Sequence, residues 1–140
     1  SGRAFTSYIG HSDRTSWSFA GLYDIGDAAG LTNEGLPTVV NQYGCWNTYF
    51  VHPDAVSMAH QFLLSGINGA AAVMGPSART TTQSDNALAD ATMSNMFDNN
   101  MSIGMAVMEA KQQLKGDFNS LKDVMIGWVV LGDPALEIAD

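Results

Sequence analysis

A single cysteine, Cys45, follows Tyr43-Gly44, and a histidine, His11, follows Ile9-Gly10. Each of these side chains therefore comes directly after a glycine, at the end of a short run rich in β-branched and aromatic residues: "RAFTSYIG" before His11 and "LPTVVNQYG" before Cys45. A thiolate is a strong nucleophile, but a free thiol near neutral pH is mostly protonated. A neighbouring imidazole favours the thiolate or takes its proton, which is the requirement for covalent catalysis by cysteine. Glycine lets the backbone turn sharply where a side chain would clash, and backbone N–H groups at such turns can hold an oxyanion. Two plainer readings fit the same residues: a buried structural thiol at Cys45 and a hydrogen-bonded loop histidine at His11. A metal reading fits poorly. Cys45 and His52 form no tight ligand pair of the C-x-x-C or H-x-x-x-H kind, and His60 falls within a helical pattern.

For the pair to meet, the two runs must be parallel neighbours that end on one edge of a sheet. Period-two alternation and β-branched content predict strands near 4–10 and 37–44. Pro37 fits a strand start, where a missing N–H costs least. The Ser-, Asp- and Gly-rich segment from His11 to Gly35 reads as a long loop or short irregular elements. Asp54 suits the N-cap of a helix over 54–65, with Ala55, Ala59 and Phe62 on one face and Gly66 at its end. "INGAAAVMG" predicts a central strand near 67–74, followed by the polar loop "PSARTTTQSD". Asp85 is placed as the cap of a helix with Ala89, Met93 and Met96 on one face, and "DNN" ends it. Ser102 is placed as the cap of another, with Ile103, Val107, Ala110 and Leu114 on one face. "VMIGWVVL" predicts a last strand near 124–131. Strands separated by helices imply an α/β fold with a mainly parallel sheet. Function in such sheets gathers beyond the C-terminal strand ends, where Gly10-His11, Gly44-Cys45 and "GPSART" all fall.

Composition sets the outer limits. The 140 residues are enough for one domain with one core. Charged residues are 14%, against about 25% in an ordinary globular chain, so part of the surface is expected to be covered. A net charge of −8, with six Lys and Arg in all, argues against nucleic acid. The longest uncharged stretch, Ala55 to Ala78, is interrupted by His60, Gln61, Ser65 and Asn68 and divides into a helix and a strand pattern, so it is read as core and not as a membrane span. "SGRAFTSYIG" lacks the long apolar core of a signal peptide. One cysteine excludes an internal disulfide.

The motifs "YIGHS", then "W", "LPTVVNQYGCWNTYF", "INGAAAVMGPS" and "GWVVLGDPALEI" resemble, in this order, the gingipain family of cysteine peptidases, from about Phe5 to Ile138. That family belongs to the caspase-like clan with legumain, clostripain and separase. The resemblance implies a caspase-like sheet with six main strands in the order 2-1-3-4-5-6, of which this chain carries the later four. Residues 1–140 would then be the C-terminal portion of a single peptidase domain. It implies His11 as general base and acid, Cys45 as nucleophile, and the backbone N–H groups of Ser12 and Cys45 as the oxyanion site. Ser12 stands where the family usually has glycine. The implied substrate cleft includes Gly10, Gly44, Trp46 and, after the third strand, Ser77. No cofactor is required. A structural calcium, as some relatives bind, is compatible with Asp13, Asp24 and Asp27, although solvated loop carboxylates are the plainer account. The implied partners are a protein or peptide substrate, and an upstream segment of the same precursor or a second chain completing the sheet beside "AFTSYIG". Neither nucleic acid nor membrane is expected, and the implied location is secreted or at a bacterial cell surface. The implied activity is peptide-bond hydrolysis through a thioester acyl-enzyme. A sortase-like transpeptidase using the same dyad and a non-catalytic binding module remain open alternatives.

Overall fold

The computed structural model of the chain describes residues 4–138. Its spine is strand β4, Thr38–Tyr43, in which every residue is buried. Alternation along the strand sends Val39 and Tyr43 into one core and Val40 into another on the opposite face. Strands β1 (Phe5–Ile9) and β5 (Ala70–Pro76) flank it in parallel, and β6 (Trp128–Gly132) closes the order β1-β4-β5-β6. The sheet is mainly parallel, as the sequence predicts, but its last strand runs antiparallel to β5, with Pro76 opposite Trp128.

The reason lies in the connection. Three helices, α3 (Thr82–Phe97), α4 (Ile103–Gln113) and α5 (Phe118–Gly127), carry the chain back to the end of β5 at which it left. There both the N–H and the hydroxyl of Ser77 donate to the carbonyl of Gly127, at 2.8 and 3.0 Å. These helices cover one face of the sheet, where the ring of Tyr43 stacks on Trp128 at 4.4 Å. The other face carries α1 (Ile25–Ala29), α2 (Met58–Leu63) and a two-stranded hairpin, β2 (Ser16–Trp17) with β3 (Tyr23–Asp24). On that side Trp17, Val40, Met58, Phe62 and Val73 form the second core. The architecture is a sheet flanked by helices on both faces.

Several boundaries differ from the sequence expectation. The apolar run predicted as a strand over 124–131 holds the last turn of α5 before β6 begins at Trp128. The helix placed over 54–65 is shorter: Ser57, not Asp54, caps it, in a capping box with His60. Helix α3 starts earlier than expected, with Thr81 as N-cap, so Asp85 lies inside its first turn. The loop expected between His11 and Gly35 contains the hairpin and α1. No helix among the described residues is long and apolar enough to cross a membrane. Strand β1 has a partner on one side alone among the described residues.

Candidate active site

Strands β1 and β4 end level, with Ile9 opposite Tyr43, and the N–H of Gly10 extends the ladder by donating to Tyr43 O at 2.9 Å. Gly10 and Gly44 therefore leave the sheet side by side. There is no room for a side chain at Gly44, because a Cβ there would overlap the Ser12 hydroxyl and lie 2.5 Å from Gly10 O. A Cβ at Gly10 would lie 2.7 Å from the Tyr8 hydroxyl, which reaches across to donate to His11 O at 2.6 Å. Ser18 N donates to the same carbonyl at 2.7 Å, so the backbone of His11 is pinned twice. The two loops are then joined to each other. Ser12 Oγ donates to Cys45 O at 2.9 Å and accepts from the buried Asn47 Nδ2 at 3.2 Å.

Beyond these strand ends lies a cleft with two lobes, of about 410 and 560 Å3, that share His11, Cys45, Arg79 and Thr80. Cys45 is half-buried, and its thiol donates to Thr80 O at 3.5 Å. The exposed imidazole of His11 stacks on Phe19, with centroids 5.2 Å apart and planes 20° from parallel. Trp46, next to Cys45, holds a positive φ of 64°, a conformation that costs a non-glycine residue energy and concentrates at functional sites. Its N–H donates to Ala78 O at 3.0 Å, which fixes the Cys45 loop to the segment after β5. Among the described residues, no backbone carbonyl accepts from the N–H of Ser12 or of Cys45.

The first lobe carries two carboxyl groups, Asp85 and Asp123, as well as Arg79. Asp85 is 5% exposed; its Oδ2 accepts from the Thr80 hydroxyl at 2.9 Å, and its Oδ1 has no hydrogen-bond partner among the described residues. Burial pushes its carboxyl up to about 6; the Thr80 hydrogen bond opposes this shift and the charge of Asp123 adds to it. Asp123, from α5, lines the same lobe and accepts from Thr81 N at 2.9 Å, which anchors the start of α3. Thr80 thus joins the thiol, through its carbonyl, to the buried carboxyl, through its hydroxyl.

Of the residues the sequence singles out, Gly10, His11, Gly44 and Cys45 line the first lobe, and Ser12 and Trp46 line the second. Ser77 lines neither lobe: its hydroxyl is bonded to Gly127 O, and the wall is built instead by the residues from Arg79 to Thr82. The loop carboxylates have local roles. Burial raises the Asp13 carboxyl, but hydrogen bonds from Thr15 and Ser16 outweigh it and leave its pKa lowered. Asp24 and Asp27 form the capping box of α1. Among the described residues, no three His, Cys, Asp or Glu side chains gather as a metal site. His52 accepts from Asp54 N at 3.3 Å. Sequence reasoning missed Asp85, Asp123 and Phe19 as parts of the cleft, and within the loop after the third strand it singled out Ser77 where Thr80 lines the wall. The one visible signal was the polar loop after the third strand, and its register against Cys45 is a property of the fold.

No curated protein matches the chain. Solved structures do. The crystal structure of the Arg-specific cysteine proteinase gingipain R matches with a TM-score of 0.77 at 17% identity, over 98% of this chain and 34% of that one. The complex of the pro- and mature domains of RgpB from Porphyromonas gingivalis matches with a TM-score of 0.82 at 17% identity and the same coverage, 98% and 34%. The chain thus spans about a third of the length of the structures it matches, and it shares their fold. The profile of peptidase family C25 covers residues 1–139. With nearly the whole chain matched, it belongs to peptidase family C25.

Proposed function

We propose that this chain carries the catalytic dyad of a cysteine endopeptidase. Cys45 gives its proton to His11 and attacks the scissile carbonyl. The N–H groups of Ser12 and Cys45 hold the oxyanion, and His11 protonates the leaving amine. The thioester is then hydrolysed by a water that His11 deprotonates. The observation that carries this reading is the close approach of the two strand exits at Gly44. The residues that follow two adjacent, level strand ends, His11 and Cys45, line one cleft, and Gly44 at the second exit has no space for a Cβ against the first. The thiol now donates to Thr80 O, so attack requires Sγ to turn from that carbonyl toward substrate. The dyad chemistry calls for no cofactor.

The Asp85 lobe supports a substrate side chain with a hydrogen-bond donor, best a basic one, since Asp85 Oδ1 is buried without a partner. One matched structure is described as Arg-specific, which agrees with that reading. The free side of β1 supports a partner strand, because an unpaired edge invites pairing. A matched structure holds pro- and mature domains together, and we assign the edge to an upstream segment of the same precursor. By the same family likeness the protein works outside the cell or at its surface.

The test uses the complete protein and a panel of peptides, with products read by mass spectrometry. Cys45→Ala should abolish cleavage, and His11→Ala should lower kcat by about 100-fold or more. Products joined to an added amine, with little hydrolysis, would move the assignment to a transpeptidase. No turnover by the unmodified protein would leave a binding module.

A further inference from the structure

The second lobe has a different chemistry from the first. Its two aromatic walls are Phe19, 81% exposed, and Trp46, 40% exposed, one beside each member of the dyad. Both are presented by built turns. Phe19 sits at the tip of the β2–β3 hairpin, directly after Ser18, whose φ is +60° and whose hydroxyl accepts from the N–H groups of Ala20 and Leu22. Trp46 is fixed by its bond to Ala78 O, by Tyr49 N donating to its carbonyl, and by an edge-on contact with the Tyr49 ring at 5.4 Å. Three non-glycine residues have a positive φ among those described, and two of them are Ser18 and Trp46. Strain that presents exposed aromatic rings beside a nucleophile needs a reason, because exposed aromatics gain nothing from burial.

The side of the scissile bond that this lobe serves follows from the proton transfers. During acylation the imidazole must reach the leaving nitrogen, so the residue that departs lies on the His11 side. Phe19 is stacked on the His11 ring. We propose that the Phe19–Trp46 lobe is the subsite for an apolar, preferably aromatic, residue immediately after the scissile bond, with the Asp85 lobe holding the residue before it. This inference rests on the peptidase reading. It adds a second specificity determinant, on the leaving side, to the Asp85 lobe.

Two features separate such a subsite from a hydrophobic surface covered by another part of the protein. The lobe is continuous with the dyad through His11 and Cys45. Its aromatic wall is also in direct contact with the imidazole, through the stacking of Phe19 on His11 at 5.2 Å.

The experiment compares peptides that are identical except after the scissile bond, carrying Phe, Leu, Gly or Asp there, with the complete protein. The expected result is a kcat/KM for Phe and Leu about tenfold or more above Gly, in keeping with what one apolar contact contributes. The effect should appear in acylation and not in deacylation, since that residue has already departed. Phe19→Ala and Trp46→Ala should bring the four peptides together, and Phe19→Leu should keep the preference for Leu. Circular dichroism and thermal unfolding report that each variant is folded. Cleavage at equal rates whatever residue follows the bond would overturn the subsite alone. Equal slowing of all four peptides by Phe19→Ala would also overturn it, by making Phe19 a support for the imidazole. Failure to cleave any peptide would remove the peptidase reading and the subsite with it.

Discussion

At the scale of residues, the candidate pair was legible where its signal is local. His11 and Cys45 could be singled out because a glycine precedes each, and the structure gives both glycines a steric reason. Asp85 was not legible as part of the site. In sequence it resembles a helix cap, and nothing short of the fold tells that Thr81 takes that role and turns Asp85 inward. Its burial has a thermodynamic consequence. The folded-state pKa is raised, to about 6 from an ordinary 3.8. Such a carboxyl contributes stability that is complete below about pH 3.8 and lost as pH rises through about 6, because the folded chain then holds a buried charge. Asp85→Asn keeps an acceptor for the Thr80 hydroxyl and removes the charge. It should stabilise the complete protein at pH 8 by ~1–3 kcal/mol and flatten the dependence between pH 4 and 7. Thermal unfolding across that range checks this. A variant less stable than the parent at pH 8 would mean that the carboxylate is paired and not merely buried.

At the scale of elements, β1, β4 and β5 were legible to within about three residues because each is a short apolar run bounded by Gly, Pro or polar residues. The last strand was not. "VMIGWVVL" is apolar throughout, and a short uniform run does not separate helix from strand. The buried positions Leu121, Val124 and Gly127 follow helical spacing, which becomes visible when the polar residues from Asn119 onward are read with them. The reversed direction of β6 depends on where three helices end, which no local pattern records. The element junction that matters most to the site is the exit of β4. Gly44→Ala would force the Cβ against the Ser12 hydroxyl and Gly10 O, spreading the two strand ends. The expected cost is ~1–3 kcal/mol, typical of inserting a methyl group into closed space. Cys45 labelling should slow by more than in a control such as Gly35→Ala, at a turn where a Cβ meets nothing within 4 Å but φ is +71°. Equal labelling in both variants would show that the close approach at Gly44 does not set the dyad.

At the scale of the whole molecule, the candidate site gathers beyond the ends of the parallel strands of a four-stranded sheet. Among the described residues β1 is paired on one side alone. The sheet class could be inferred from the alternation of strand and helix patterns, but the cleft could not, since its two lobes draw on segments as distant as Ile9 and Asp123. The central claim is that Cys45 and His11 act as one unit, and it is tested most directly by the rate at which iodoacetamide alkylates Cys45 in the complete protein as a function of pH. The account predicts fast labelling that persists at pH 6 to 7, where an isolated thiol is almost wholly protonated, and a His11→Ala variant that labels slowly at neutral pH and recovers only as the solution becomes alkaline. An unchanged rate and an unchanged pH profile in His11→Ala would contradict it and make Cys45 a structural thiol.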